Sequence, residues 1–125
     1  MNNIKNKLFL LITLAIISTG CSNIPLQPSR HSAPADELLT QADAMQQSGN
    51  LNGSIAQVER ILRLEPRNAY AWHKLATLNL AVGDLNKAEQ FALRSNQFAA
   101  GNREIINANQ KVIDEVSRQR KNTAG

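Results

Sequence analysis

At 125 residues the chain has room for one small domain, or for a leader and a smaller one. Aromatic residues at 4% exclude a core built on large rings, and the single cysteine excludes an intramolecular disulfide or a cysteine-built zinc site. The formal charge of +4 includes Lys5 and Lys7. Setting these aside leaves twelve basic against ten acidic residues, too mild a balance for the dense basic stripe of a nucleic-acid binder.

Met1 to Lys7 carries two lysines and no acid, and Leu8 to Ile17 is an apolar run broken only by Thr13. That run is too short to span a bilayer, which takes about 20 apolar residues. Small residues follow at Ser18, Thr19 and Gly20, and then Cys21. A basic start, a short apolar core and a small-residue cleavage point make an export signal over residues 1–20. With cysteine next, the segment resembles the lipobox of bacterial lipoproteins, although Ser18 stands where leucine is usual. The resemblance implies that the Cys21 thiol takes a diacylglycerol and that the freed amine is acylated. Several acyl chains, at about 0.8 kcal/mol per buried methylene, make an effectively permanent anchor. Ser22, rather than aspartate, follows the cysteine; by the sorting rule of such lipoproteins this implies the outer membrane, with the domain facing the periplasm. Apart from this covalent lipid, the sequence calls for no cofactor.

Residues 21–34 hold three of the four prolines and no apolar periodicity, and read as the lipidated cysteine and a linker. His31 lies in this linker, far in sequence from His73, and the pair makes no metal-ligand pattern.

From Ala35 the chain repeats with a 34-residue period. Ala35 aligns with Ala69, Ala42 with Ala76, Gly49 with Gly83, Leu51 with Leu85 and Arg60 with Arg94. Such a period marks one supersecondary unit stacked on its copy. Apolar spacing places helices near 35–48, 52–64, 69–82 and 86–99, with Gly49 and Gly83 breaking each pair and Asn68 capping the third helix. The phrase from Leu62 to Trp72, with Leu75, Ala76 and Ala88, resembles tetratricopeptide (TPR) repeats. The resemblance implies an all-α, right-handed α-solenoid of two repeats, about 35–68 and 69–102. Departures from the family pattern fall at Ser54, Asn79, Ser95 and Ala100.

Two units leave an apolar end exposed, and solenoids need terminal caps. Ile105, Ile106, Val112, Ile113 and Val116 predict a capping helix over about 103–119, with Asn102 as its N-cap, closing a domain that ends near 120. Residues 121–125 read as a polar tail, and Arg118, Arg120 and Lys121 as its solvated basic end.

No catalytic set is present: there is no phosphate loop, and the acidic pairs Asp36-Glu37 and Asp114-Glu115 read as solvated charge. The reading is therefore a non-enzymatic binding module with neither a metal site nor a small-molecule substrate. In TPR proteins the first helix of each pair lines the concave face. That implies Asp36, Leu39, Asp43 and Gln46 from the first unit, and Tyr70, His73, Thr77 and Leu80 from the second. Arg67 and Asn68 join them at the junction. The peptide-carboxylate clamp of chaperone-binding TPRs uses Lys and Asn where Leu39 and Asp43 stand, so that activity is not carried over.

The layout as a whole resembles the small TPR lipoproteins that activate class A penicillin-binding proteins, the bifunctional peptidoglycan synthases. The alternative is a pilotin-like factor assisting a pilus or secretion-system component in the outer membrane. The anchor is testable on its own: Cys21→Ser should abolish incorporation of radioactive fatty acid, and a serine variant that still takes up label would refute the lipobox.

Overall fold

The structure, a computed structural model, describes residues 32–125. The leader, Cys21 and the linker as far as His31 lie outside the described residues. Five helices and no strand are found among the described residues: α1 (Ala33–Gln47), α2 (Leu51–Leu64), α3 (Ala69–Ala81), α4 (Leu85–Phe98) and α5 (Arg103–Ala124).

The turn inside each repeat is built the same way twice. Gly49 and Gly83 adopt φ of 80° and 84°, a left-handed conformation that costs glycine nothing. Gly49 N–H donates to the Gln46 carbonyl and Asn50 N–H to that of Met45; Gly83 N–H donates to Leu80 and Asp84 N–H to Asn79. This is the paired closure of a Schellman motif. The residue that completes it then caps the next helix. The Asn50 side chain accepts from Gly53 N–H, and that of Asp84 from Lys87 N–H. The bond from the Lys87 backbone, followed by that from its ammonium, holds the Asp84 carboxyl below its ordinary pKa. A lowered carboxylate stabilises the fold above its unfolded pKa, and this contribution is lost as pH falls through the folded value.

α1 pairs with α2 and α3 with α4; α2 joins the two pairs by packing on α3, and α5 lies against both α3 and α4. One core cluster draws Ala35, Leu38 and Ala42 from α1, Val58 and Ile61 from α2, and Ala71, Leu75 and Leu78 from α3. A second sets Val112 and Val116 of α5 against Ala76, Ala88 and Ala92. The helix expected to cap the array thus does so, although its buried stripe is Ile105, Asn109, Val112 and Val116, with Ile106 and Ile113 only half-buried.

The departures from the repeat pattern have local causes. Ser54 Oγ donates to the Ala42 carbonyl and Ser95 Oγ to that of Ala69, each at 2.7 Å, so both buried hydroxyls tie one helix of a pair to the other. Asn79 is buried where the family favours an aromatic, and its amide donates to the Leu75 carbonyl at 2.8 Å. Ala100 has φ of 48°, which the proline ring cannot adopt.

Two helix ends differ from the expected ones. α1 begins at Ala33, with Pro34 in its first turn, where proline's missing N–H leaves nothing unsatisfied. Ser32 N–H donates to Glu65 Oε1 at 2.7 Å, tying this start to the junction between the repeats. At the other end, the residues expected as a tail continue α5 to Ala124. Arg120 reaches from there to Glu89 at 2.7 Å and to Asn86 at 2.9 Å, holding the late turns on α4.

Ala100 is the only described non-glycine residue at positive φ. A left-handed alanine costs about 1–2 kcal/mol, and glycine's extra freedom in the unfolded chain returns about 0.4–1 kcal/mol of any gain. Ala100→Gly should therefore raise the thermal midpoint slightly. Gly101→Ala, at φ of 79°, should lower it. Melting curves of both variants check the pair.

Candidate functional site

α1, α3 and α5 are the first helices of successive units and share one face, here called inner; α2 and α4 carry the outer face. No Cα of α1 lies within 8 Å of one in α3, and the same holds for α2 and α4. A cleft therefore opens on each face at the repeat junction, and side chains decide what fills it.

On the inner face, Lys74 crosses from α3 to α1. Its ammonium lies 2.6 Å from Asp43 Oδ1 and donates to Gln46 Oε1. His73, beside it, reaches the other way, with Nδ1 2.7 Å from Asn109 Oδ1 on α5. Asn109 is fully buried, and its amide nitrogen donates to Asn96 Oδ1 at 2.8 Å. The amide oxygen is then left to accept, so His73 carries its proton on Nδ1. Thr77 Oγ1 donates to the Lys74 carbonyl within α3.

The expected binding residues divide among three settings. Asp43 and Gln46 meet Lys74 across the inner cleft, His73 on the same face of α3 turns to Asn109 of α5, Thr77 bonds within α3, and Asp36 is exposed near the start of α1. Leu39 and Tyr70 line a small crevice between α1 and α3, and the Tyr70 hydroxyl accepts from Asn102 Nδ2, at the start of α5, at 2.7 Å. Leu80 packs on the core beneath α4 and α5. Asn68 caps α3 by accepting from Ala71 N–H and also donates to Glu65. Arg67 stands away from the inner cleft, over the Phe98 ring at 5.7 Å. Sequence reasoning missed Lys74 and Asn109. Both fall within predicted helices, and the one available signal for Asn109 is its place four residues after Ile105 and three before Val112 on the buried stripe.

The outer cleft has a different lining. Trp72 projects from the side of α3 opposite Lys74 and lies over the cleft floor with Leu75 and Phe91. Its ring centroid is 5.6 Å from that of Phe91, and its indole N–H donates to the Pro66 carbonyl at 2.9 Å. Leu62, Arg63 and Glu59 of α2 form one wall, and Gln90 and Arg94 of α4 flank the ring on the other side. The Arg94 guanidinium sits 5.6 Å from the centroids of both Trp72 and Phe98.

Among the described residues no group of histidine, cysteine or carboxylate side chains could hold a metal ion, and no helix is long and apolar enough to cross a membrane. What the geometry offers is two surfaces for another macromolecule, on an array of paired helices in which a hydroxyl or amide secures the departures at Ser54, Asn79 and Ser95. That is the architecture of a tetratricopeptide-repeat protein, and residues 58–90 match the tetratricopeptide repeat family. The globular C-terminal domain of LpoP from P. aeruginosa is similar at 32% identity over 72% of this chain and 85% of that one, with a TM-score of 0.70. The chain belongs to the family of that LpoP domain. No curated protein matches it by sequence.

The His73–Asn109–Asn96 chain generates a prediction. Truncating Asn109 leaves two polar partners without their bonds, at about 1–3 kcal/mol. Asn109→Ala should lower the thermal midpoint clearly, whereas Asn107→Ala, exposed on the same helix, should leave it nearly unchanged.

Proposed function

We propose that this protein is a non-enzymatic activator of a class A penicillin-binding protein, anchored in the outer membrane by lipid on Cys21 and engaging the synthase in the periplasm. The observation that carries the reading is membership of the family that includes the LpoP domain. The lipobox-like Ser18 to Cys21 and the linker before the TPR array support it, because that order resembles the small TPR lipoproteins that activate these enzymes. The inner face is the proposed contact. Asp36 and the half-exposed Asp43 offer carboxylates from α1, and the half-buried Tyr70 and His73 offer rings from α3.

The test uses lipid-free protein starting after Cys21 and a purified class A penicillin-binding protein from the same organism. The protein should co-purify with the synthase and raise its rates of glycan polymerisation and cross-linking. Tyr70→Ala combined with His73→Ala should remove that stimulation while circular dichroism still reports a helical array, because truncating an interface hot spot costs about 2 kcal/mol or more. Unchanged synthase rates, together with altered multimer formation by an outer-membrane ring, would point instead to an assembly factor.

A further inference from the structure

The outer cleft has no part in the reading above, yet three of the four described aromatic side chains, Trp72, Phe91 and Phe98, lie along it. From α4, Phe91, Arg94 and Phe98 follow one another at helical spacing, and Trp72 from α3 inserts between Phe91 and Arg94. Arg67 covers the far end of the row over Phe98. The Trp72, Phe91 and Phe98 rings are all half-buried, seated on the core yet open on one side.

The charge around this row is unbalanced. Arg63, Arg67 and Arg94 are exposed, and none forms an ion pair among the described residues; the sole carboxylate on the cleft wall is Glu59. Away from the cleft, Lys74 pairs with Asp43, Lys87 with Asp84, Arg118 with Glu115 and Arg120 with Glu89, while Arg60, Arg103, Lys111 and Lys121 form no ion pair among the described residues but have no ring beside them. A guanidinium held over a ring can still bind a carboxylate through two parallel bonds, and Arg94 has only a long bond to the neutral Gln97 Oε1, at 3.4 Å, to give up. Tryptophan and arginine are also the side chains that most often dominate a protein interface.

From this juxtaposition we propose that the outer cleft is a docking site for an acidic segment of a partner protein. An apolar side chain of the segment would enter beside Trp72 and Phe91, and flanking carboxylates would meet Arg63, Arg94 and Arg67. The site is separate from the inner face and does not depend on the partner being a synthase.

Trp72 is the chain's only tryptophan, so its emission reports directly on the cleft. The probes are ten-residue peptides carrying one Phe or Leu flanked by Asp and Glu, each with a counterpart in which Lys replaces the acids. The acidic peptides should shift Trp72 emission to shorter wavelength in a saturable way that weakens with added salt, and the lysine peptides should not. Arg67→Glu with Arg94→Glu should weaken binding about tenfold or more, with the helical circular dichroism retained. Arg103→Glu with Lys111→Glu changes net charge equally away from the cleft and should leave binding intact.

The proposal is overturned if neither peptide class shifts the emission, if both do so equally, or if the two double variants behave alike. An emission shift that grows with protein concentration alone would assign the cleft to a second copy of this chain. A shift with phosphatidylglycerol vesicles but not with peptides would assign it to a lipid surface. Either result overturns the acidic-segment proposal.

Discussion

Close approach of helix backbones is the constraint on which the rest of this structure depends. Half of its buried hydrophobic residues are alanines, among them Ala42, Ala76, Ala88 and Ala92 with no exposed surface. A methyl group at the contact lets backbones come near enough for the Ser54 and Ser95 hydroxyls to reach carbonyls on the facing helix. The same choice limits the apolar area each helix can bury, and burial scales with area at about 25 cal/mol per Å². Polar ties and helix caps therefore supply a larger part of the definition than they would in a leucine-rich bundle. Among the described residues no buried side-chain nitrogen or oxygen lacks a partner.

The two clefts follow from that geometry. Because only α2 and α3 pack across the repeat junction, the space between α1 and α3 and the space between α2 and α4 are left to side chains, Lys74 of α3 in the first and Trp72 of α3 with Phe91 of α4 in the second. The inner cleft is bridged by a cation that already has its carboxylate and its amide. The outer cleft is floored by rings whose attendant guanidiniums have no carboxylate, Arg94 donating only to the Gln97 amide oxygen at 3.4 Å. One helix thus presents opposite chemistries from opposite sides, with Lys74 and Trp72 only two positions apart.

Much of the fold was legible in the sequence because its signals are local. A 34-residue period, a glycine after each first helix and an asparagine before α3 and α5 are read within a few residues of the features they cause, and α2 to α4 fall within a residue of their expected bounds. The ends were less legible. Pro34 reads as linker by composition, and only the distant Glu65 explains why a helix starts before it. The last turns of α5 look like a polar tail until Arg120 is seen to reach Glu89, 31 residues back. The candidate surface was legible only in part. Periodicity brings Asp43, Gln46, His73 and Thr77 to one face, but it carries no information about which neighbour each will meet. His73 meets Asn109, a residue that sequence alone assigns to neither the core nor the surface. The outer row was hidden for a related reason: Trp72 is legible as a residue of the repeat pattern, but the pattern does not record that it meets Phe91 or that packing leaves one side of each ring open.

The bond from Ser32 to Glu65 has a mechanical consequence for a chain held at its beginning. The other oxygen of the Glu65 carboxylate accepts from Asn68, whose side chain caps α3. Were the chain held ahead of residue 32, part of a pull there would pass through this bond to the seam between the repeats as well as along the backbone into α1. The start of the array is thus coupled to both repeats and not to α1 alone.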